Sequence, residues 1–208
     1  MSDTGLFITL EGVDGCGKST QGELLAHALE ATGREVVRLR DPGSTRLSEK
    51  IRLMLLDPGN DDMCDECELL LYEAARAQLV REEIEPALKR GAVVVCDRFS
   101  DSTYAYQSVA RGLSAGMIEA ANELGCCGIT PDVTLVFDLD PREALTRATH
   151  EGTDRLEGEG MRFQREVREG YLQLASADSE RVRIVDALGT VEVVHVRVIT
   201  ALHDVIAL

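Results

Sequence analysis

The chain has 208 residues, enough for one compact domain, and a hydrophobic fraction of 44% can supply a full core. Its formal net charge of −15 argues against a nucleic-acid partner, because phosphate backbones demand a basic surface. No stretch approaches the ~20 apolar residues of a membrane span, and residues 1–5 hold no basic or apolar targeting segment, so a cytoplasmic protein with no membrane partner is expected.

The first predicted strand, Leu6–Glu11, runs straight into Gly12-Val-Asp-Gly-Cys-Gly-Lys18-Ser19, and a helix is predicted over 18–32. This is the G-x-x-x-x-G-K-[ST] pattern in its required setting between strand and helix. Gly12, Gly15 and Gly17 permit a tight turn whose N–H groups face a polyphosphate, at the positive end of the helix. Lys18 would reach the β- and γ-phosphates, and Ser19 would help hold Mg²⁺. The loop Gly12, Val13, Asp14, Gly15, Cys16, Gly17, Lys18, Ser19, with Thr20, is therefore expected to bind a nucleoside triphosphate.

Further strands are predicted over 35–40, 92–96, Val133–Asp138 and 182–185, each apolar on both faces as buried parallel strands are. Helices are predicted between them, over Arg46–Leu56, 66–90, 102–111, 115–124, 141–148, 161–175 and 191–206. The alternation implies an α/β fold with a doubly wound parallel sheet and ligands at the carboxyl ends of its strands. Residues 150–160 are polar, hold three glycines and lack apolar periodicity, and so read as a short mobile lid. Lys18, Lys50 and Lys89 are the only lysines, and arginine supplies all other basic residues. That bias fits a GC-rich genome and adaptation to high salt equally well. Cys64-x-x-Cys67 and the adjacent Cys126 and Cys127 lack the paired spacing of zinc sites and read as free thiols of a reducing compartment.

A phosphate loop leaves many functions open, but no Asn-Lys-x-Asp guanine-reading motif is present, which argues against a GTPase. Four further segments narrow the choice: Arg40-Asp-Pro-Gly-Ser-Thr45, Tyr72-Glu-Ala-Ala-Arg76-Ala-Gln78, Asp97-Arg98-Phe99 and Ser102-Thr-Tyr-Ala-Tyr106-Gln107. With them the chain, over about residues 6–192, resembles the thymidylate kinases of bacteria and archaea. The resemblance implies a P-loop nucleoside monophosphate kinase fold, transfer of the γ-phosphoryl of ATP to dTMP giving dTDP and ADP, Mg²⁺ as cofactor and a homodimer. The alternatives are another nucleoside monophosphate or deoxynucleoside kinase and a nucleotide-binding relative without turnover.

Residue roles follow from the resemblance. Tyr72 and Arg76 stand i,i+4 on one helix face, placed to stack on a pyrimidine and donate to its O4; the family usually has Phe at the first position. Gln107 reads a thymine edge and Tyr106 lies under the deoxyribose, with Ser102 and Thr103 one turn earlier. Tyr104 is assigned to packing. Asp14 matches the carboxylate that accepts the 3′-hydroxyl, and Arg98 and Arg52 contact the acceptor phosphate. Asp97 is placed to hold the metal with Ser19. Asp41-Pro42 stands for the usual Glu-Pro, where the resemblance implies a bent peptide, and Ser44 replaces a usual glycine.

The acceptor is already an anion, so no general base is needed, and catalysis is alignment and charge neutralisation. Since no arginine stands in the phosphate loop, the resemblance assigns the catalytic arginine to the lid, as Arg155, with Arg147 on the preceding helix beside ATP. Thr149, His150 and Glu151 stand where relatives often carry further basic residues, and Arg162 and Arg165 could compensate. Residues 186–191 are expected against the adenine.

Overall fold

The computed structural model describes residues 5–147 and 155–206. Five strands are formed: β1 (Leu6–Glu11), β2 (Val36–Arg40), β3 (Val93–Asp97), β4 (Val133–Asp138) and β5 (Val182–Asp186). They make one parallel sheet in the order β2-β3-β1-β4-β5. The chain leaves β1 toward one edge and β3 toward the other, so a crevice opens between the carboxyl ends of these two neighbours. The phosphate loop follows β1, and Arg98 follows β3.

The inner strands are buried on both faces. Ile8, Leu10, Val93 and Val95 pack with Leu25 and Leu29 of α1 (Lys18–Ala31) in one cluster. Phe7, Val94 and Cys96 pack in another with Leu79, Val80 and Ile84. The edge strands depart from the expected pattern. β2 exposes Arg38 and Arg40, and Ile184 of β5 is 51% exposed, because an edge strand has only one covered flank.

Helix α2 (Arg46–Leu56) starts at Thr45, whose hydroxyl accepts from Ser48 N. The helix expected over 66–90 is α3 (Asp65–Leu79), a π-helical turn at Val80–Ile84, then α4 (Glu85–Lys89). Pro86 explains the wider turn, since its ring clashes with the carbonyl four residues back and supplies no N–H. The helix expected over 102–111 likewise resolves into α5 (Ser100–Thr103) and a π-helical run, Tyr104–Ala110. After it come α6 (Ala115–Gly125), α7 (Pro141–Arg147), α8 (Gly160–Ala177) and α9 (Val191–Ala201). Thr149, His150 and Glu151, with the expected lid as far as residue 154, lie outside the described residues.

Candidate active site

The loop after β1 takes the geometry its glycines allow. Gly12 has φ 138°, and a Cβ there would lie 2.7 Å from Phe137 O. Gly17, at φ 97°, sits in the left-handed region as the N-cap of α1, so backbone alone faces the cleft at that helix start. Lys18 folds back: its Nζ donates to Gly12 O and Val13 O, both at 3.0 Å. Ser19 Oγ donates to Asp97 Oδ2 at 2.9 Å, joining the start of α1 to the end of β3. These two side chains offer hard oxygens beside the phosphate loop, the donor type that suits Mg²⁺.

A cleft of about 700 Å³ opens over this loop. Gly15, Cys16, Gly17, Lys18, Ser19 and Thr20 line it, while Gly12 and Val13 lie beneath. Arg147, whose Nη1 donates to Ala187 O at 3.0 Å, also lines it, as do Gly189, Thr190 and Val191. Part of the segment expected to meet adenine thus lines the same cleft as the phosphate loop.

A second, narrower cavity of about 60 Å³ adjoins it. Every residue expected at the acceptor lines this cavity: Asp41, Pro42 and Arg52 on one side, Tyr72 and Arg76 from α3, and Ser102, Thr103, Tyr106 and Gln107. The last two reach the cavity from the π-helical run 104–110. Leu56 and Leu156 complete the lining. The Asp41–Pro42 peptide is cis. Asp14, Asp41, Arg52 and Arg98 line both spaces, so the two cavities meet at these residues.

Arginine charge gathers at this junction although the chain as a whole is acidic. Arg98 has φ 70° and donates to Asp14 Oδ1 at 2.6 Å, to Tyr171 Oη at 3.1 Å and to Ser102 Oγ at 3.3 Å. Burial would raise the Asp14 pKa, but Arg98 and Lys18 outweigh it and hold the carboxyl at about 2. Arg52 has its pKa lowered by burial and by the neighbouring Arg40 and Arg98, against the pull of Tyr72 and Glu49. Crowded guanidiniums of this kind create a site for an anion.

Arg76 is 1% exposed, and its Nε donates to Asp41 Oδ2 at 2.7 Å. Its Nη1 donates to Glu73 Oε1 and Asn122 Oδ1, and its Nη2 to Phe99 O. Five donors in a fixed fork let one arginine hold these partners and still edge the cavity. Ser44 keeps a left-handed backbone, φ 64°, although it is not glycine. Its Oγ accepts from Arg40 N at 2.8 Å, and its N donates to Glu49 Oε1.

Arg155 is not brought to the phosphate loop. Its Nε donates to Leu55 O at 2.9 Å and its Nη2 to Glu68 Oε2 at 2.5 Å, beside the acceptor cavity. Arg162 is exposed and pairs with Glu166, and Arg165 is exposed as well. Tyr104 is half-buried, with its hydroxyl near Gln173. Cys64 and Cys67 are exposed at the start of α3, whereas Cys126 is buried after α6.

Several residues at the site have no role assigned by the resemblance. Arg40 lines the larger cleft and pairs with Glu49. Glu11, fully buried, accepts from Phe99 N at 2.7 Å, Ser102 Oγ at 2.6 Å and Tyr171 Oη at 2.8 Å. Burial pushes its carboxyl up to about 7, with Asp101 adding to the rise and Arg98 opposing it. Glu68 gathers Gln107, Arg111 and Arg155 from three segments. The signal for Glu11 was available, since an acid ending an otherwise apolar buried strand must find partners.

A phosphate loop on the first strand of this sheet, with a second anion-facing cavity across the crevice, defines the P-loop nucleoside monophosphate kinase class. The family model described as thymidylate kinase matches residues 10–198. A thymidylate kinase of Desulfosudis oleivorans is 48% identical over 208 residues, covering 96% of this chain and 97% of its own. One of Pseudomonas savastanoi pv. phaseolicola is 53% identical over 185 residues, 88% of each chain. The crystal structure of thymidylate kinase from Ehrlichia chaffeensis matches with a TM-score of 0.77 at 32% identity, over 96% of this chain and 99% of that one. The chain belongs to the thymidylate kinase family.

Proposed function

We propose that this protein transfers the γ-phosphoryl group of ATP to dTMP, giving dTDP and ADP. The observation that carries this reading is the junction of the two cavities at Asp14, Asp41, Arg52 and Arg98. A donor phosphate on the loop and an acceptor phosphate on Arg98 and Arg52 would meet there. Lys18 and the loop N–H groups hold the donor, while Tyr72, Arg76 and Gln107 hold the base. Positioning and charge stabilisation supply nearly all the catalysis such a transfer needs.

Ser19 and Asp97 would hold the divalent cation, Mg²⁺ in this reading. When bound, it neutralises charge on the phosphate oxygens. A homodimer is part of the reading, supported by exposed Leu53, Leu70 and Leu124 on α2, α3 and α6. So is a cytoplasmic location, supported by six free cysteines. Among the described residues no helix is long and apolar enough to cross a membrane.

The test is ADP release from Mg·ATP with dTMP, dUMP, CMP, AMP and GMP offered separately, at low and at molar KCl. Turnover with dTMP, weaker with dUMP and absent with the others, is the expected result. Turnover with a purine acceptor, or none in either salt, would discard the reading.

A further inference from the structure

Glu68, on the first turn of α3, is 1% exposed. Its Oε1 accepts from Gln107 Nε2 at 2.8 Å and from Arg111 Nε at 3.3 Å. Its Oε2 accepts from Arg111 Nη2 at 3.1 Å and from Arg155 Nη2 at 2.5 Å. Burial alone would raise its pKa, but these partners hold it below the usual carboxylate range. A carboxylate between two guanidiniums accepts hydrogen bonds and donates none.

This settles which way the Gln107 amide faces. Its NH₂ must point to Glu68, which leaves the amide oxygen for the acceptor cavity that Gln107 lines. An oxygen there accepts from the N3–H of a keto pyrimidine. Cytosine carries a lone pair at N3 and would meet that oxygen acceptor to acceptor, a mismatch that costs binding.

We propose that Glu68 is a positioning residue for base specificity: it fixes Gln107 as an acceptor and thereby selects thymine and uracil over cytosine. Through Arg155 it also ties this selection to the segment carrying Leu156, which seats on the same cavity. The inference rests on the acceptor reading above.

The experiment compares kcat/KM for dTMP and dCMP in wild type, Glu68→Gln and Gln107→Leu, with the KM for ATP measured alongside. A glutamine at position 68 can donate as well as accept, so Gln107 becomes free to turn its NH₂ to the cavity. The expected result is a fall of about tenfold in the dTMP-to-dCMP ratio with the KM for ATP unchanged. A merely structural loss would lower both acceptors together and leave the ratio alone. Glu68→Asp keeps the charge that Arg111 and Arg155 require but withdraws it by one methylene from Gln107. It is read in the same way should Glu68→Gln fail to fold. An unchanged ratio in either folded variant overturns the inference. If Gln107→Leu itself leaves dTMP turnover intact, the base-site reading fails instead.

Discussion

The two cavities are built by different means. The donor side is a wide cleft of about 700 Å³ around a backbone loop, while the acceptor side is a narrow space of about 60 Å³ walled by side chains. The first takes the consecutive residues 14–21 as its largest contribution, with Arg147 also in its wall. The second takes residues from α2, α3, α5 and the π-helical run, held by buried ion pairs such as Arg76–Asp41. Phosphate is alike in every nucleotide and can be met by N–H groups. A base must be told from other bases, which takes donors and acceptors fixed one by one.

That contrast can be broken most sharply at Arg98, where the sides meet. Arg98→Ala is expected to lower kcat/KM for dTMP by about 10³-fold, roughly 4 kcal/mol, while the Kd for ATP stays put. Steady-state kinetics with a nucleotide-binding titration checks this. Equal damage to both substrates would mean that the two sides are one unit.

Glu11 lies under the acceptor side and is expected to make stability depend on pH. Its folded-state pKa of about 7 exceeds the ordinary 4.5, so the folded state holds the extra proton within that window. Stability from this group is complete below about pH 4.5 and lost as pH rises through about 7. Glu11→Gln does not titrate, so its stability relative to wild type should grow from pH 5 to pH 8, by on the order of 3 kcal/mol. Urea unfolding across that range gives the answer, and a constant difference would show that Glu11 is ionised throughout.

Arg155 sharpens the comparison further, because its partners among the described residues, Leu55 O and Glu68, lie on the acceptor side. Arg155→Ala is expected to raise the KM for dTMP about tenfold with kcat little changed. A collapse of kcat at unchanged KM would instead place this arginine on the transferred phosphoryl during turnover. The smallest effect is expected at Ser44. Glycine there would relieve the left-handed backbone but lose the Arg40 N hydrogen bond, terms of about 1 kcal/mol each and opposite sign. Ser44→Gly should therefore shift the unfolding free energy by less than about 0.5 kcal/mol.

Legibility in the sequence follows the same division. The strands and the donor loop could be read locally, because an apolar run, three glycines, a lysine and a serine encode their own geometry. The π turns could not, since they depend on how Pro86 and the acceptor helix fit their neighbours. The acceptor residues, with Asp41 that pairs with Arg76 and Asp14 that pairs with Arg98, follow from family likeness, whereas Glu68, Glu73 and Asn122, which also orient them, carry no local signal. Glu68 reads as one more acid in Asp65-Glu-Cys-Glu68, and nothing local tells that this one is buried beneath Gln107 and two arginines. The position of Arg155 on Glu68 is equally a long-range fact.

Lys18 carries a consequence for how nucleotide affinity divides between heat and disorder. A lysine side chain has about 2 kcal/mol of rotamer entropy to lose when it is pinned. Two of its three N–H groups already rest on Gly12 O and Val13 O, so that freedom is surrendered when the chain folds and not when a nucleotide arrives. The ammonium waits with its third proton on the weaker contact to Cys16 Sγ at 3.8 Å, and a triphosphate meets a charge that has already stopped moving.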